Sequence, residues 1–578
     1  MKQFIKTLFF LFTMPFMALA QTKVNQDYHL VFQFAYEACP DIPKGLLEAV
    51  SYTNTQCHHL TDDNYFHDGP DAMPRAYGLM GLVKDGKGYF RENLHLVAEL
   101  SGISEAEILG SPQKNVLAYA KAFSRLAKAD GAKEIKGYLS VVQRLSELPI
   151  GEEKDLYPMQ SMLYSVCLFL DDAEKAEQYG FSTFHIDLKD VFGTSLSLLT
   201  APVLGLTRDS DFPGAIWDPA PDCNYSERTL PVSAVVIHYT EGSYAGCISW
   251  FKNCDAQVSA HYVIRSSDGQ VTQMVREADK AWHARSANAY TIGIEHEAYG
   301  NIWSFFTDAM YRSSANLVRD ICSRYENIDG HRTFYRDTLD NGTCLNNGLH
   351  DLGGENACVK IRGHQHYPDQ SHTDPGPYWD WNFYYKLINE GTPVTVMEGE
   401  EGRLDHQNYG DDERKIWVIR GPEETTIQLD FSCFNLEKDF DFLWIYDGDN
   451  VYAPKIGRWN TKSPGVVQSS SNVMCVEFRS DCATNAPGWQ ASWKAVAPEP
   501  VIPEGLFPNP VTDKFTVHVE GDGFTDLMVY DLYGKQVVPL VRFQKTIEID
   551  ASEWSSGVYV VYYGSPGAMD KKVRLLKL

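Results

Sequence analysis

The chain has 578 residues and a formal net charge of −26 at pH 7, and 44% of its residues are hydrophobic. This length predicts three or four domains, each with a core of its own. The acidic balance argues against nucleic acid as a partner, because nucleic-acid binding rewards basic patches that release counterions from phosphates. Loose adsorption to anionic polymers is disfavoured in the same way, so a specific partner has to be held by a shaped cleft.

The first 20 residues (1–20) are typical of a cleavable secretory signal peptide. Two lysines precede an apolar run from Leu8 to Leu19, and Ala18-Leu19-Ala20 stands just before Gln21. The run is too short to span a membrane, and no later stretch is long enough, so no transmembrane segment is expected in the mature protein. In an exported chain, the twelve cysteines favour disulfides over free thiols.

Residues 21–205 are expected to form an all-α domain. Apolar residues recur at three- and four-residue spacing, as at Val116, Ala120 and Phe123, which is the periodicity of a helix with one buried face. Ser104 followed by Glu107 is a capping-box pattern and predicts the start of a helix.

Two stretches of this domain, Pro43–Thr55 and Ala76–Leu82, resemble the lysozyme-like lytic transglycosylases. In that family a Glu-Ser pair ends the first helix and its glutamate is the general acid, but this chain has Asn54-Thr55 there. An amide cannot donate the proton that glycoside cleavage needs. Three interpretations stay open: a relic domain that still binds glycan, a plain helical scaffold, and an active glycosidase that uses Glu48 or an aspartate from 62 to 71.

Nine of the 17 histidines lie between residues 232 and 381. The apolar run Val235–Ile237 leads into His238, a second apolar lead-in ends at His364, and Asp374 follows ten residues later on a Pro-Gly turn. Two imidazoles and one carboxylate suit a catalytic zinc ion, because three protein ligands leave a fourth position open for water. Water bound in this way ionises near neutral pH and becomes a nucleophile.

This part of the chain resembles the zinc N-acetylmuramoyl-L-alanine amidases of the amidase-2 type, whose fold is shared with the peptidoglycan recognition proteins. The segments that carry the resemblance are Asn224–Arg228, Val235–Thr240, Val258–Ile264, Trp282–Ala284, Ile292–Glu295, Gly363–His364 and Thr373–Pro377. The resemblance implies an α/β domain with a central mixed sheet over 206–393. It also implies a zinc hydrolase that cleaves the amide bond between N-acetylmuramic acid and L-alanine in peptidoglycan or muropeptides.

Individual roles follow from the same resemblance. His238, His364 and Asp374 match the family's zinc ligands, and Glu295 matches its general base. Related phage enzymes use a tyrosine at the position of Ala260 here, so Glu295 is expected to act alone.

Three further residues match positions around the family's cleft. His372 stands where the family usually has a lysine that stabilises the oxyanion, and a histidine can donate the same hydrogen bond with a charge that depends on pH. Trp282 and His283 match residues that line the cleft and contact the sugar or the stem peptide.

Other interpretations of this region stay open. His366 is a rival ligand two residues after His364, and Glu297 is a second candidate base on the Glu295 strand. The other histidines are expected to be structural or exposed: His261, His296, His331 and His350. A protein of this fold that binds peptidoglycan without cleaving it is the alternative function, and a glycosidase acting through the helical domain is a third.

Three disulfides are expected. The resemblance to the peptidoglycan recognition proteins implies a short loop bridge between Cys247 and Cys254. A second disulfide, between Cys344 and Cys358, would constrain an Asn/Gly-rich insertion. A third, between Cys39 and Cys57, would constrain the N-terminal segment.

Residues 394–497 alternate at period two between turns, which predicts an all-β sandwich. Asp441–Gly448, Phe478–Asp481 and Gly488–Ala491 resemble a CUB domain. Members of that family hold calcium through acidic residues, which suit this ion as hard oxygen ligands. The matching residues are Glu437, Asp441 and Asp481. A solvated acidic loop is the alternative, and the domain is expected to be an adhesion or substrate-binding module.

A proline-rich linker is expected at 498–505, followed by a small all-β domain at 506–578. Phe507–Pro510, Val529–Gly534 and Ser556–Val560 resemble the C-terminal sorting domain of the type IX secretion system. The resemblance implies recognition by the type IX machinery and removal of the tail on export. The mature protein would then be secreted or attached to the cell surface, with the periplasm as the alternative location and a small adhesion domain as the alternative for the tail.

Overall fold

The structure is a computed structural model. It describes residues 28–67, 69, 72–200, 210–336, 338–339, 342–497, 504–521 and 523–578. The expected signal peptide and residues 498–503 of the expected linker lie outside the described residues. A helical region, an α/β region with a mixed sheet and two β regions follow one another, so the predicted fold class is confirmed. The exact domain boundaries stay predictions.

The helical region begins the described chain. Its helices are His29–Ala38, Leu46–Thr55, Asn93–Ser101, Glu105–Gly110, Pro112–Asp130, Ile135–Leu145, Leu156–Asp171, Ala173–Tyr179, Leu188–Phe192 and Leu196–Leu199. The ends of the longest of these helices, Pro112–Asp130, follow from its sequence. The Ser111 side chain accepts a hydrogen bond from the Lys114 amide at the start, and Gly131 ends the helix in the left-handed conformation. The expected capping box of Ser104 and Glu107 is present.

A short hairpin interrupts the helical region, which was expected to be all-α. Ala76–Tyr77 pairs antiparallel with Leu82–Val83. Among the described residues, no helix combines the length and the apolar composition that crossing a bilayer requires.

The α/β region is built on a six-stranded sheet. In spatial order its strands are Ile361–Gly363, Ala234–Tyr239, Thr291–His296, Tyr262–Ile264, Val271–Gln273 and Ala215–Trp217. Neighbouring strands are parallel, except that Tyr262–Ile264 and Val271–Gln273 are antiparallel. A separate two-stranded sheet pairs Tyr225–Glu227 with Asp279–Ala281. The helices of this region are Tyr244–Trp250, Asp308–Arg324 and Trp381–Ile388.

The two faces of the sheet have different surroundings. Ile237 and Ile294 lie on one face, in an apolar cluster with residues of the two longer helices such as Leu317. His238 is paired in register with Glu295, and residues in register on parallel strands point to the same face. Since successive side chains alternate, both polar groups lie on the opposite face.

The core of the helical region continues into the α/β region. One buried cluster contains Leu46 and Phe123 together with Trp250, Val263 and Met274. The helical region therefore packs against the mixed-sheet region over a shared apolar core.

Two β regions complete the chain. In the first, a five-stranded sheet has the order Val394–Glu398, Arg414–Arg420, Val473–Arg479, Phe442–Tyr446 and Lys455–Trp459, and a four-stranded sheet has the order Glu401–Gln407, Gly488–Val496, Thr426–Asn435 and Val466–Gln468. In the second, a three-stranded sheet comprises Gly505–Phe507, Lys514–His518 and Thr546–Asp550, and a four-stranded sheet comprises Gln536–Gln544, Phe524–Asp531, Gly557–Ser565 and Ala568–Lys577.

A buried ion network joins the α/β region to the first β region. Glu477 is fully buried and pairs with Arg414 at 2.7 Å and with Arg479 at 2.9 Å. Burial alone would raise the pKa of Glu477, but Arg479 and Arg414 lower it to about 2. Arg414 also donates to the Asn389 carbonyl at 2.6 Å, just beyond the last helix of the α/β region.

Replacing Glu477 by Gln is expected to lower the free energy of unfolding by about 3–5 kcal/mol, because two buried guanidinium groups lose their charged partner. The wild-type protein should also lose stability as the pH falls from about 4.5 towards 2, since a lowered carboxyl pKa stabilises the fold only while the group is ionised. Calorimetry at a series of pH values measures both effects. Exposed Glu401→Gln is the matched control, and equal stability of the two variants would contradict the prediction.

Candidate metal centre

Three buried side chains meet at the carboxyl end of the sheet. His238 Nδ1 lies 2.8 Å from Asp374 Oδ2, and His364 Nδ1 lies 3.1 Å from Asp374 Oδ1. His238, His364 and Asp374 each offer one ligand atom within 4.8 Å of the others. Burial alone would raise the pKa of Asp374, but His364 and His238 hold it well below its ordinary value. The structure thus brings together the three residues expected to be ligands.

The hydrogen bond behind His238 fixes its tautomer. His238 Nε2 lies 2.9 Å from His283 Nδ1, and His283 Nε2 lies 3.3 Å from the Thr291 hydroxyl, which donates to the Ala287 carbonyl. Because the Thr291 hydroxyl gives its proton to Ala287, it accepts a hydrogen bond from His283 Nε2, and His283 Nδ1 accepts one from His238 Nε2. His238 therefore carries its proton on Nε2 and presents a lone pair at Nδ1. A Cβ on Gly293 would lie 2.6 Å from the His283 ring, so glycine is what lets the imidazole lie against the strand.

Gln370 does the same for His364. Its side-chain amide donates to the Ala284 and Pro368 carbonyls, which fixes Gln370 Oε1 as the acceptor of a proton from His364 Nε2 at 2.5 Å. His364 Nδ1 then also presents a lone pair to the Asp374 carboxylate. Two nitrogen lone pairs and a carboxylate converge on one point, and a cation is what such a donor set fits.

Glu295 lies beside this cluster. Its Oε2 atom is buried and has no hydrogen-bond partner among the described residues. Burial, followed by the charges of Asp374 and Glu241, raises the pKa of Glu295 well above its ordinary value. A buried carboxylate with a free oxygen next to a cleft has the chemistry of a proton acceptor.

His372 and Trp282 border the same cleft. The His372 ring is stacked on the His364 ring, with centroids 4.8 Å apart, and its Nδ1 lies 4.0 Å from Asp374 Oδ1. The Trp282 indole donates to the Ser226 hydroxyl at 3.1 Å. His283 also lines the cleft, but both of its ring nitrogens are engaged within the protein, which leaves only the ring face for a substrate.

The cleft is a cavity of about 270 Å³. Besides the residues expected from the sequence, its lining includes Glu241 and four residues of the helical region: Phe66, His67, Ala72 and Met73. Nothing in the sequence near these positions signals proximity to His238. Gln370 was likewise missed, because a glutamine in a loop has no distinctive pattern.

The rival candidates face elsewhere. His366 accepts the Gly363 amide at Nδ1, and its Nε2 lies 3.3 Å from the Leu345 carbonyl. Both carboxylate oxygens of Glu297 accept backbone amides, those of Tyr244 and Ser266. The other four histidines are structural or partly exposed, as expected. His261 and His296 are buried and hydrogen-bonded, while His331 and His350 are partly exposed.

The expected disulfides are wrong. Cys254 is bonded to Cys223, whose Cα atom lies 5.5 Å away, while Cys247 is a free thiol. The physical reason is burial: Cys247 points into the core from the helix Tyr244–Trp250, whereas Cys254 lies exposed in the turn that follows. Cys358 is bonded to Cys482 of the first β region, which leaves Cys344 free and exposed, and Cys39 and Cys57 are separate buried thiols.

The acidic residues expected to hold calcium are also brought together. Glu437, Asp441 and Asp481 each offer an oxygen within 4.8 Å of the others. Burial, followed by neighbouring carboxylates, raises the pKa of Glu437 to about 7. Burial likewise raises the pKa of Asp441 to about 6, although the Tyr409 hydroxyl donates to it.

In the helical region, both Asn54, at the position of the family's acid, and the candidate acid Glu48 are held in structural contacts, while Asp68 and Asp71 lie outside the described residues. Asn54 donates to the Met80 carbonyl and its own carbonyl accepts the Tyr299 hydroxyl. Glu48 is 4% exposed and accepts the Tyr36 hydroxyl, and burial raises its pKa to about 7.

Comparison with known proteins identifies the family. The N-acetylmuramoyl-L-alanine amidase model (Amidase_2) matches residues 228–377. The N-acetylmuramoyl-L-alanine amidase A of Achromobacter lyticus is 43% identical over 182 residues, which are 31% of this chain and 97% of that protein. The chain belongs to the N-acetylmuramoyl-L-alanine amidase family. Its match lies over the part of the amidase that contains His238, Glu295 and Asp374.

Other matches cover the β regions. The CUB domain model matches residues 395–493 of the amidase, and the secretion system C-terminal sorting domain matches 505–573. Human cubilin is 27% identical over 178 residues, which are 26% of this chain and 5% of cubilin. Among solved structures, the Staphylococcus aureus hydrolase AmiA in complex with its ligand has 15% identity over 28% of this chain and 72% of that chain, with a TM-score of 0.20.

These matches confirm the resemblances to the amidases, the CUB domain and the sorting domain. The sorting domain supports export of the amidase. The lysozyme-like resemblance of the helical region stays a prediction, as do the roles of individual residues.

Digestion of the unreduced amidase is expected to release a peptide pair joined through Cys223 and Cys254, with Cys247 alkylated only after unfolding. Cys223→Ser should lower the free energy of unfolding by about 3–4 kcal/mol, because the disulfide closes the loop between Cys223 and Cys254 and so restricts the unfolded chain. Peptide mass mapping and denaturant titration measure the two effects. Cys247→Ser should leave the bridge intact, and a linked peptide that contains Cys247 would contradict the assignment.

Proposed function

We propose that this amidase hydrolyses the amide bond between N-acetylmuramic acid and L-alanine in peptidoglycan or muropeptides, with a zinc ion held by His238, His364 and Asp374. The observation that carries the proposal is the convergence of two imidazole Nδ1 atoms on one buried carboxylate. Two nitrogens and one oxygen suit zinc and leave a coordination position open. When bound, the ion polarises the substrate carbonyl and lowers the pKa of water to near neutrality.

The protein's own residues handle the proton and the charge. Glu295, with a free buried oxygen, takes a proton from the attacking water and returns it to the departing L-alanine amine. His372 donates a hydrogen bond to the carbonyl oxygen as negative charge develops there. Trp282 lines the cleft and contacts the sugar or the stem peptide, while His283 and Gln370 keep the two imidazoles in the metal-binding tautomer.

The first β region is proposed to hold calcium through Glu437, Asp441 and Asp481. Three clustered carboxylates form a hard oxygen site, and Ca²⁺ prefers such ligands. The ion would lie near the disulfide between Cys358 and Cys482, at the junction with the α/β region.

The C-terminal domain is proposed to address the protein to the type IX secretion machinery. The mature amidase would then be released from the cell or attached to its surface, where peptidoglycan fragments are accessible.

Replacing Glu295 by Gln should lower kcat by about 100- to 10,000-fold, because the variant loses its proton acceptor. Zinc content should stay the same. Mass spectrometry of a muropeptide digest measures release of the intact stem peptide, before and after chelation and after zinc is returned. Exposed Glu326→Gln is the matched control. Tight binding of unchanged muropeptide by the zinc-loaded wild-type protein would contradict the hydrolase and favour a peptidoglycan-binding protein.

Gln370→Ala should weaken zinc affinity by about 10- to 100-fold, because His364 loses the acceptor that fixes its tautomer. Gln370→Glu keeps an acceptor oxygen and should bind zinc more tightly than the alanine variant. Competition with a chromogenic chelator measures both affinities. If Gln370→Ala bound zinc as the wild-type protein does, the orienting role of Gln370 would be wrong.

A further inference from the structure

One side of the amidase cleft is supplied by the helical region. Phe66, His67 and Met73 line the same cavity as His238 and Glu295. We call these three helical-region residues the N-terminal wall. They lie outside residues 228–377, the part of the chain that matches the amidase model.

The N-terminal wall is anchored to the α/β region by packing. Leu60 and Tyr65 belong to one buried cluster with Tyr239, Tyr299 and Phe305. The Tyr65 ring meets the Tyr299 ring edge to face, with centroids 5.8 Å apart. Since Tyr239 directly follows His238 in the chain, this packing fixes the wall beside the candidate metal centre.

Polar contacts strengthen the same anchor. The Phe66 amide donates to Glu241 Oε1 at 2.8 Å. Asn64 donates to Asn301 Oδ1 at 2.7 Å, and Asn301 donates back to the Asp63 carbonyl at 3.0 Å. Reciprocal hydrogen bonds of this kind fix both distance and direction.

The wall brings a third imidazole to the pair formed by His364 and His372. The His67 ring centroid lies 3.8 Å from that of His372, which in turn lies 4.8 Å from that of His364. His372 therefore contacts two other imidazole rings, and its side chain is only 22% exposed. A ring packed against two neighbours in this way has few alternative rotamers.

We propose that the N-terminal wall completes the substrate cleft of the amidase and that His67 is a positioning residue that holds the His372 ring in place. This inference rests on the proposed function, in which His372 donates a hydrogen bond to the reacting carbonyl. The donor of such a bond has to be placed before the reaction begins, because a displacement of about 1 Å can cost about 100-fold in rate. The helical region is then a working part of the active site.

The test compares His67→Ala with His67→Phe in the full zinc-loaded chain acting on a soluble muropeptide. The alanine variant should lower kcat by about tenfold or more and change KM by less than about twofold, because the reacting geometry is lost while substrate contacts remain. The phenylalanine variant keeps a ring against His372 and should recover most of kcat. His95→Ala, an exposed histidine of the helical region, is the control and should match the wild-type protein.

Three outcomes would overturn the positioning role: wild-type kcat in His67→Ala, a rise in KM without loss of kcat, or a phenylalanine variant as slow as the alanine variant. Melting temperature and zinc content are measured for each variant, and a loss of either in both variants would make His67 structural and overturn the role as well. If the wild-type protein itself released no stem peptide, the proposed function would fail instead, so the two failures are distinguishable.

Discussion

The arrangement of the α/β region depends on one buried carboxylate. Asp374 is 5% exposed and faces the Nδ1 atoms of two imidazoles. A charge removed from water costs several kcal/mol unless partners compensate for it. His238 and His364 come from the ends of neighbouring strands, so the sheet register sets the distance between them. The rest of the site is organised to keep these three groups in place.

The orientation of the imidazoles depends on groups behind them. His283 and Gln370 each engage the Nε2 atom of one imidazole. The Thr291 hydroxyl holds His283 in turn, and backbone carbonyls hold Gln370. The opposite face of the sheet is apolar and packs on helices, which makes the strands a fixed support for the polar face. The polar residues of the site therefore lie on one face of a sheet whose other face is fixed by apolar packing.

The α/β region is in extensive contact with the helical region before it and with the first β region after it, although the sequence divides them into separate domains. The helical region shares a core with the mixed-sheet region and contributes residues to the cleft. The first β region is joined to the α/β region by the network around Glu477 and by the disulfide Cys358–Cys482. The α/β region is therefore joined on two sides to parts of the chain that do not match the amidase family.

The sequence by itself determined the features that depend on residues close to one another in the chain. Helix caps, period-two strands and the strand ends that carry His238 and His364 are local patterns, and the motifs around them identified the family. Tertiary structure alone decided which distant surfaces meet. Cys223 pairs with Cys254 in place of Cys247, and His67 reaches His372 from another region. These contacts depend on how whole faces pack, and packing is set by side-chain shape and burial over many residues, so no short stretch of sequence specifies it.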